Sequence, residues 1–120
     1  MNSGAYQLVI EIEKEIEIDA GALGICRFPA GRYIYTGSAV KNLDQRISRH
    51  LRNEKKLHWH VDYLLANQNV TIVEVKRCES SRRIECELNG EVLGKGGRTV
   101  VKGFGSSDCR NCESHLLLIK

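Results

Sequence analysis

The chain of 120 residues carries 18 basic and 15 acidic side chains, a formal net charge of +3 at neutral pH. Its hydrophobic fraction of 42% and charged fraction of 28% are ordinary for a soluble globular protein, and we expect one domain, residues 1–120. No apolar run approaches the roughly 18 residues that a membrane-spanning helix needs. A secretory signal is not visible and the five cysteines show no disulfide-like spacing, so we expect a cytoplasmic protein.

Charge is distributed unevenly along the chain. Residues 1–19 contain five acids and one lysine, a net charge of −4, whereas residues 27–56 contain eight bases and two acids, a net charge of +6. This asymmetry predicts a nucleic-acid-binding face opposite an acidic one, and a merely solvated helix surface is the alternative. Four of these bases are expected to contact nucleic acid: Arg49, Arg52, Lys55 and Lys56.

Residues 6–18 alternate between apolar and polar side chains, which is the pattern of strands with one buried face. A hairpin loop of three residues, 13–15, would pair Ile12 with Ile16 and keep the apolar residues on one side. Tyr6 shares that buried side near the start of the first strand.

Two more strands are predicted around the turn sequence at residues 29–31, the first over 23–28 and the second over 32–36. Gly37 and Ser38 are expected to end the second of them. With the first pair, these strands predict a small antiparallel or mixed sheet.

A basic helix is predicted next, because Leu43, Ile47 and Leu51 recur every four residues and form an apolar face. Asn42 is the expected N-cap, with Gln45 as its reciprocal partner in a variant of the capping box.

Arg46 and His50 are also four residues apart, so the helix places them on one neighbouring face. The phenol of Tyr35, at the end of the preceding strand, should therefore lie near a guanidinium and an imidazole. Phosphodiester cleavage can use that set, because it combines a proton-transfer group, a fixed cation for the phosphate and a titratable partner.

The rest of the chain predicts further helices and strands, so the fold class is α+β, a small sheet flanked by helices. In order they are a short helix over 57–65, a strand over 70–75, a helix from Ser80 or Ser81 to about Leu93, an edge strand over 99–101 and a buried strand over 115–119.

In the later helix, Ile84, Leu88 and Val92 form the apolar stripe. Glu85 lies about 60° from the centre of that stripe and Glu87 about 100° from it, at the 100° that each helical residue turns. Glu85 is therefore expected at the border between core and solvent, where a carboxylate can face a cleft, and Glu87 is expected to be more exposed.

The short helix begins with a Trp-His-rich segment. His58 and His60 are two residues apart and cannot share a helical face, so a metal site made by both is not expected. We expect one of them to contact phosphate or a base. Trp59 is expected to pack, and a surface for base stacking is the alternative.

Cys109, Cys112 and His115 form a C-x-x-C-x-x-H array. A closed structural zinc site needs four ligands and the chain has no second C-x-x-C, so zinc is the less favoured interpretation. A redox-sensitive thiol pair is a further alternative, and local packing is preferred to both. The remaining cysteines are expected to be core residues: Cys26, Cys78 and Cys86.

Several of these residues together resemble the signature of the GIY-YIG nuclease superfamily. Tyr35-Thr36-Gly37, followed by Arg46 and His50, is similar to its second half, and Gly4-Ala5-Tyr6 is similar to its first half. Alanine and threonine stand at the middle positions where the family usually has isoleucines, and we expect those positions only to pack.

The chain is more closely similar to a compact branch of that family, found alone or fused to endonuclease III-like repair glycosylases. The branch carries a Trp-His-rich segment after the helix, here residues 58–62, and a Gly-Phe-Gly-Ser-Ser-Asp-Cys run near its end, here residues 103–109. The matches occur in the right order over essentially the whole chain.

The resemblance implies a metal-dependent endonuclease that hydrolyses phosphodiester bonds in nucleic acid, DNA rather than RNA, in repair or processing. It also implies a single Mg²⁺ or Mn²⁺ ion, held by a glutamate of the later helix. We assign that glutamate to Glu85, with Glu87 in reserve. A repair protein is an expected partner.

The remaining roles follow from the same resemblance. Tyr6 would take the proton from the attacking water, Tyr35 would orient water or phosphate, and Arg46 would stabilise the transition state. His50 would assist proton transfer or contact the phosphate. An ordinary phenol, with a pKa of about 10, is a poor base, so this role requires either that the metal and Arg46 lower the pKa of Tyr6 or that the proton passes through a metal-bound hydroxide.

Two other functions remain open from the sequence. One is a nucleic-acid-binding module that keeps the nuclease scaffold with little or no catalysis. The other is a thiol- or zinc-based interaction protein built on Cys109 and Cys112.

Overall fold

The computed structural model describes residues 2–39, 41–52, 59–80, 84–105 and 112–120. Within them the fold is α+β, as expected: a five-stranded antiparallel sheet and a two-stranded sheet are flanked by three helices. No helix in these ranges is long and apolar enough to cross a membrane. The elements in chain order are β1 (Gly4–Ile12), β2 (Ile16–Asp19), β3 (Ile25–Phe28), β4 (Gly31–Ala39), α1 (Leu43–Leu51), α2 (His60–Leu65), β5 (Val70–Glu79), α3 (Glu85–Gly94), β6 (Arg98–Thr99) and β7 (Leu116–Leu118).

The centre of the larger sheet is formed by β1, which pairs antiparallel with β4 on one side and β5 on the other. Beyond β4 lie β7 and β6, so the strand order is β5-β1-β4-β7-β6. Every second residue from Tyr6 to Ile12 is buried, which confirms the predicted alternation. These side chains join buried residues of the other elements in one core: Phe28, Tyr33, Leu43, Leu64, Phe104 and Leu116.

The predicted hairpin between the first two strands is wrong. Of the strands that the structure describes, β2 pairs with β3 and not with β1, which places Ile16 opposite Phe28 and Ile18 opposite Cys26. The reason is that both edges of β1 are occupied along their whole length by the longer strands β4 and β5. Ile16 and Ile18 are nevertheless buried, as the alternation of apolar and polar residues predicted.

The strand β4 does not end at Gly37, as its glycine suggested, but continues to Ala39. Tyr6 pairs with Gly37 and Gly4 pairs with Ala39, so β1 follows β4 to its last residue. A glycine within a central strand often marks a place where another group approaches closely, and at Gly37 that group is the side chain of Tyr6.

Later elements are present where they were predicted, but their ends differ. The strand β5 continues to Glu79, because Ser80 still donates its backbone N–H to the carbonyl of Ser3, 3.1 Å away, and so prolongs the pairing with the start of the chain. The helix α3 accordingly begins at Glu85 and not at Ser80; Ser81 lies outside the described residues.

The start of α1 was predicted correctly, but its cap was not. Asn42 has a left-handed backbone (φ 61°) and makes no capping hydrogen bond, because an N-cap needs an extended backbone to reach the first turn. Asn2 replaces it: its carbonyl accepts from the N–H of Leu43 at 3.1 Å, and its Oδ1 accepts from the N–H of Asp44 at 2.9 Å. The amide of Asn2 also donates to Gln45. The first residues of the chain thus fix the helix that carries Arg46 and His50.

Candidate active site

Two tyrosines from neighbouring strands form the buried part of the candidate site. Tyr6 of β1 and Tyr35 of β4 lie on the core-facing side of the sheet, with ring centroids 6.4 Å apart. They are 2% and 7% exposed. The alternation of the two strands thus brings together the phenols that the sequence assigned to one site.

Gly37 makes room for the first of these phenols. It lies directly across from Tyr6 in the β1–β4 pairing. A Cβ atom at Gly37 would lie 2.5 Å from the hydroxyl oxygen of Tyr6 and 2.6 Å from the ring carbon that bears it. Glycine is therefore required here by the position of the phenol and not by a turn.

An imidazole from α1 meets the same phenol. The hydroxyl of Tyr6 lies 2.6 Å from Nε2 of His50, which is 2% exposed. The imidazole ring also contacts Tyr35, with centroids 6.0 Å apart. The two groups are within hydrogen-bond distance, and the tautomer of His50 decides which of them donates.

Arg46 lies one helical turn before His50, as the spacing predicted. Its Nη1 donates to the backbone carbonyl of Ser38 at 2.6 Å, and its guanidinium carbon lies 4.8 Å from the centroid of Trp59. No carboxylate of the described residues forms an ion pair with this half-buried guanidinium. It is therefore a fixed positive charge whose remaining N–H groups are suited to an anion.

Arg49, which was predicted to contact nucleic acid, contacts a buried carboxylate and an aromatic ring in this structure. It forms a two-pronged ion pair with the fully buried Asp62, at 2.9 and 3.0 Å, and its guanidinium carbon lies 4.4 Å from the ring centroid of Trp59. The same carboxylate accepts from the backbone N–H of Trp59 at 2.8 Å. This cluster fastens α2 to α1, and breaking a buried pair of this kind typically costs about 3–5 kcal/mol.

Trp59 takes the packing role that was preferred for it. Its ring contacts the guanidinium groups of Arg46 and Arg49 and lies 5.5 Å from the ring of His50. The indole therefore holds the side of α1 that carries the candidate site residues.

The carboxylate beside the tyrosines belongs to Glu85. This residue is the first of α3, its side chain is 20% exposed, and its Oε2 lies 3.7 Å from Nδ1 of His115. Its charge acts on both Tyr6 and Tyr35, whereas Glu87 is exposed. The assignment of a metal ion to Glu85, with Glu87 in reserve, stays a prediction.

Burial raises the pKa of Tyr6 far above its ordinary value. Neighbouring Tyr35 adds to this rise, Arg46 opposes it, and Glu85 reinforces it. Burial likewise raises the pKa of Tyr35, again with Glu85 adding to the rise and Arg46 opposing it. The guanidinium acts in the expected direction, but it does not outweigh the loss of water around the phenols. Both hydroxyls are therefore protonated at neutral pH.

The C-terminal part of the chain encloses the tyrosines from another side. A Cβ at Gly105 would lie 2.8 Å from Cε1 of Tyr35, so its backbone is close to that ring. The carbonyl of His115 accepts from the N–H of Thr36 at 2.9 Å, and its N–H donates to the carbonyl of Phe104 at 2.9 Å. The Gly-Phe-Gly run is thus joined to the strand that carries Tyr35.

The other residues expected to bind nucleic acid divide into three groups. Nδ1 of His60 accepts from the N–H of Gly105 at 2.9 Å, its ring contacts Phe104, and burial lowers its pKa. It is therefore a packing residue in this structure. Arg52 is exposed at the end of α1. The third group lies outside the described residues: Lys55, Lys56 and His58.

The acidic and basic parts of the sequence are not fully separated in space. Arg27 forms an ion pair with Glu17 at 2.8 Å, and Arg32 forms one with Glu11 at 2.9 Å. These two bases are therefore partly neutralised by the acidic stretch.

One cysteine has surroundings that the sequence did not indicate. Cys86 was expected in the core, but it is half-buried, and its sulfur lies within 4.8 Å of ligand atoms of Cys112 and His115. Cys26 is buried as expected, whereas Cys78 is exposed. Cys109, which was grouped with Cys112 and His115 by spacing alone, lies outside the described residues.

Residues 5–120 match the family model described as Domain of unknown function DUF123. The chain therefore belongs to that family. Comparisons with curated proteins and with solved structures find no match.

Substituting Gly37 by alanine should destabilise the fold, because the new methyl group and the Tyr6 hydroxyl cannot occupy the same space. We expect a loss of about 1–3 kcal/mol in the free energy of unfolding, as for other overpacked cores. Urea denaturation measures it. Gly90 is the matched control, since its Cβ would meet no atom within 4 Å and alanine there should stabilise α3 by up to about 1 kcal/mol. Equal stability of Gly37→Ala and wild type would show that Tyr6 does not occupy this position.

Stability should fall steeply in alkaline solution. The folded-state pKa of three tyrosines lies above the unfolded value: Tyr6, Tyr35 and Tyr33, the last at about 12. The unfolded chain therefore loses these protons first, so their contribution is complete below pH ~10 and is lost as pH rises towards the folded-state pKa.

For each phenol we expect a loss of about 1.4 kcal/mol in the free energy of unfolding per pH unit above pH ~10. Urea denaturation of wild type and Tyr35→Phe between pH 9 and 11 isolates one phenol, because every other group titrates in both proteins. The variant should show the shallower decline. Identical declines would contradict the burial of Tyr35.

Proposed function

We propose that this protein is a metal-dependent endonuclease of the GIY-YIG type, acting on DNA in preference to RNA. The observation that carries the proposal is the contact of Tyr6 with His50 and Tyr35, with Arg46 one helical turn before His50 and Glu85 acting electrostatically on both phenols. Their chemistry is that of phosphodiester hydrolysis, with a proton acceptor, a fixed cation and an anionic metal ligand.

Glu85 fits a hard divalent cation. Its carboxylate is partly exposed, and its Oε2 lies 3.7 Å from Nδ1 of His115. Mg²⁺ and Mn²⁺ use oxygen ligands, and Mg²⁺ is often held by one or two carboxylates together with water and substrate phosphate. Such an ion, when bound, supplies neutralisation of charge on the phosphate and the leaving oxygen.

Arg46 would bind the phosphate undergoing attack. The bond from Nη1 to the carbonyl of Ser38 holds the guanidinium at one end, and the other N–H groups can donate to phosphate oxygens. Its charge would then oppose the negative charge that increases on those oxygens in the transition state. The indole of Trp59 supports this orientation from the side.

Tyr6 and His50 would move the proton of the attacking water as a pair. Because burial keeps the phenol protonated, Tyr6 is not a base that is ionised in advance. Its hydroxyl can instead accept a proton from water while it gives its own to Nε2 of His50, 2.6 Å away. This relay requires His50 to be neutral. Tyr35 would orient the water or the phosphate.

A nucleic-acid-binding module without catalysis is the second candidate. The observation that favours it is the small exposure of the two phenols, 2% for Tyr6 and 7% for Tyr35. In that case the basic end of α1 would hold the phosphate backbone, and the complex would form with or without a divalent cation. Salt would weaken it strongly, because the contacts are ionic.

The test is incubation with single-stranded, duplex, flap and branched DNA, and with RNA, in the presence and absence of Mg²⁺ or Mn²⁺. Endonuclease activity predicts metal-dependent products from at least one DNA. Salt-sensitive retardation of nucleic acid with no products under any of these conditions would support the binding module and contradict the nuclease.

Two substitutions in the same assay test whether the metal-binding and phosphate-binding roles are assigned to the right residues. Glu85→Gln and Arg46→Gln should each lower the cleavage rate by roughly 100-fold or more, the usual effect of removing a group that stabilises transition-state charge. Glu87→Gln and Arg52→Gln are the matched controls: the first should cleave like wild type, and the second should mainly weaken DNA binding. Circular dichroism checks folding. Full activity in folded Glu85→Gln would remove that carboxylate from the mechanism.

A further inference from the structure

We propose that Cys86, Cys112 and His115 form a binding site for Zn²⁺, next to the carboxylate of Glu85 but chemically distinct from it. The structure brings their ligand atoms within 4.8 Å of one another. The site joins the first turn of α3 to the segment that leads into β7.

The distances are close to those of a coordinated ion. With Zn–S of about 2.3 Å and Zn–N of about 2.0–2.1 Å, tetrahedral geometry places the ligand atoms about 3.5–3.8 Å apart. The separation of at most 4.8 Å in this cluster therefore needs a contraction of only about 1 Å.

The donor set selects the metal. Two thiolates and one imidazole are soft or intermediate ligands, which favour Zn²⁺ over the hard ions Mg²⁺ and Mn²⁺. The cluster and Glu85 can therefore bind different ions side by side.

The two halves of the cluster are held together independently of any ion. The side chain of Asn89, one turn beyond Cys86 on α3, donates to the carbonyl of Ser114 at 2.7 Å. The N–H of His115 in turn donates to the carbonyl of Phe104 at 2.9 Å. A scaffold fixed in this way reduces the conformational entropy that metal binding would otherwise cost.

The buried imidazole of His115 is a further indication of a metal ligand. His115 is 3% exposed, and its buried Nε2 has no hydrogen-bond partner among the described residues. Its Nδ1 lies 3.7 Å from Oε2 of Glu85. With Nε2 on zinc and Nδ1–H directed to the carboxylate, His115 would have the arrangement that orients most metal-bound histidines.

Three protein ligands leave a fourth position for water or for another donor. A site of this kind cross-links α3 to the strand β7, and thereby restrains the position of Glu85. Zinc would consequently stabilise the fold and position the carboxylate of the proposed active site without entering the reaction.

Cobalt is the probe, because its absorption reports ligand type and geometry. Protein purified under reducing conditions and stripped of metal should bind one Co²⁺ per chain, with sulfur-to-metal charge-transfer absorption and the intense visible bands of tetrahedral coordination. Zn²⁺ should displace it and raise the melting temperature. This spectrum of the wild-type chain tests the proposal even if a variant fails to fold, and it does not depend on cleavage activity.

Variants then assign the ligands. Cys86→Ser and Cys112→Ser should each weaken Zn²⁺ binding by at least roughly 100-fold, and Glu85→Gln by roughly 10-fold, as for loss of an orienting partner. Cys78→Ser, at an exposed thiol on β5, is the control and should bind like wild type. The proposal is overturned if the reduced wild-type chain shows no charge-transfer band, or if Cys109→Ser abolishes binding while Cys86→Ser does not.

Discussion

The direct pairing of Tyr6 with Gly37 across β1 and β4 is the constraint on which the candidate site depends. Only a residue without a side chain allows the phenol to lie against the neighbouring strand. That position brings its hydroxyl to His50 on α1 and its ring to Tyr35 on β4. A shift of one residue in this pairing would turn the phenol to the other face of the sheet and separate all three groups.

The site combines almost buried phenols with charged groups at its border. Burial keeps Tyr6 and Tyr35 protonated, whereas Arg46 and Glu85 remain partly exposed and carry opposite charges. Because the phenols are protonated, this arrangement favours proton transfer from Tyr6 to His50 through their hydrogen bond. A mechanism in which an ionised Tyr6 takes the proton of water is less favoured. The arrangement also explains why Arg46 alone does not lower the tyrosine pKa below its ordinary value. Burial disfavours the charged phenolate, and the negative charge of Glu85 opposes the effect of the guanidinium.

Local patterns in the sequence predicted most of the elements, because strand alternation and helical spacing depend on which face is buried. They also predicted that Tyr35, Arg46 and His50 lie together and that Glu85 borders the core, whereas Tyr6 was assigned to the same site by the family resemblance. They did not predict which strands pair. The partner of β2 depends on competition for the edges of β1, and the cap of α1 comes from a segment 40 residues earlier in the chain.

Other contacts join segments that are distant in the sequence. Arg49 was predicted to bind phosphate because its residue spacing on α1 does not reveal a partner. That partner, the buried Asp62, lies on the next helix. Cys86 looked isolated because Cys112 and His115 approach it only through the folded chain. The hydrogen bond of His60 to Gly105 was equally invisible in the sequence.

The most direct test of the central claim is paramagnetic broadening of nuclear magnetic resonance signals by Mn²⁺ added in small amounts to the labelled protein. If Glu85, Tyr6 and Tyr35 surround one hard cation, signals of these residues should broaden first, and Glu85→Gln should abolish the effect. Broadening centred on the acidic stretch between Glu11 and Glu17, with Tyr6 and Tyr35 unaffected, would contradict the account.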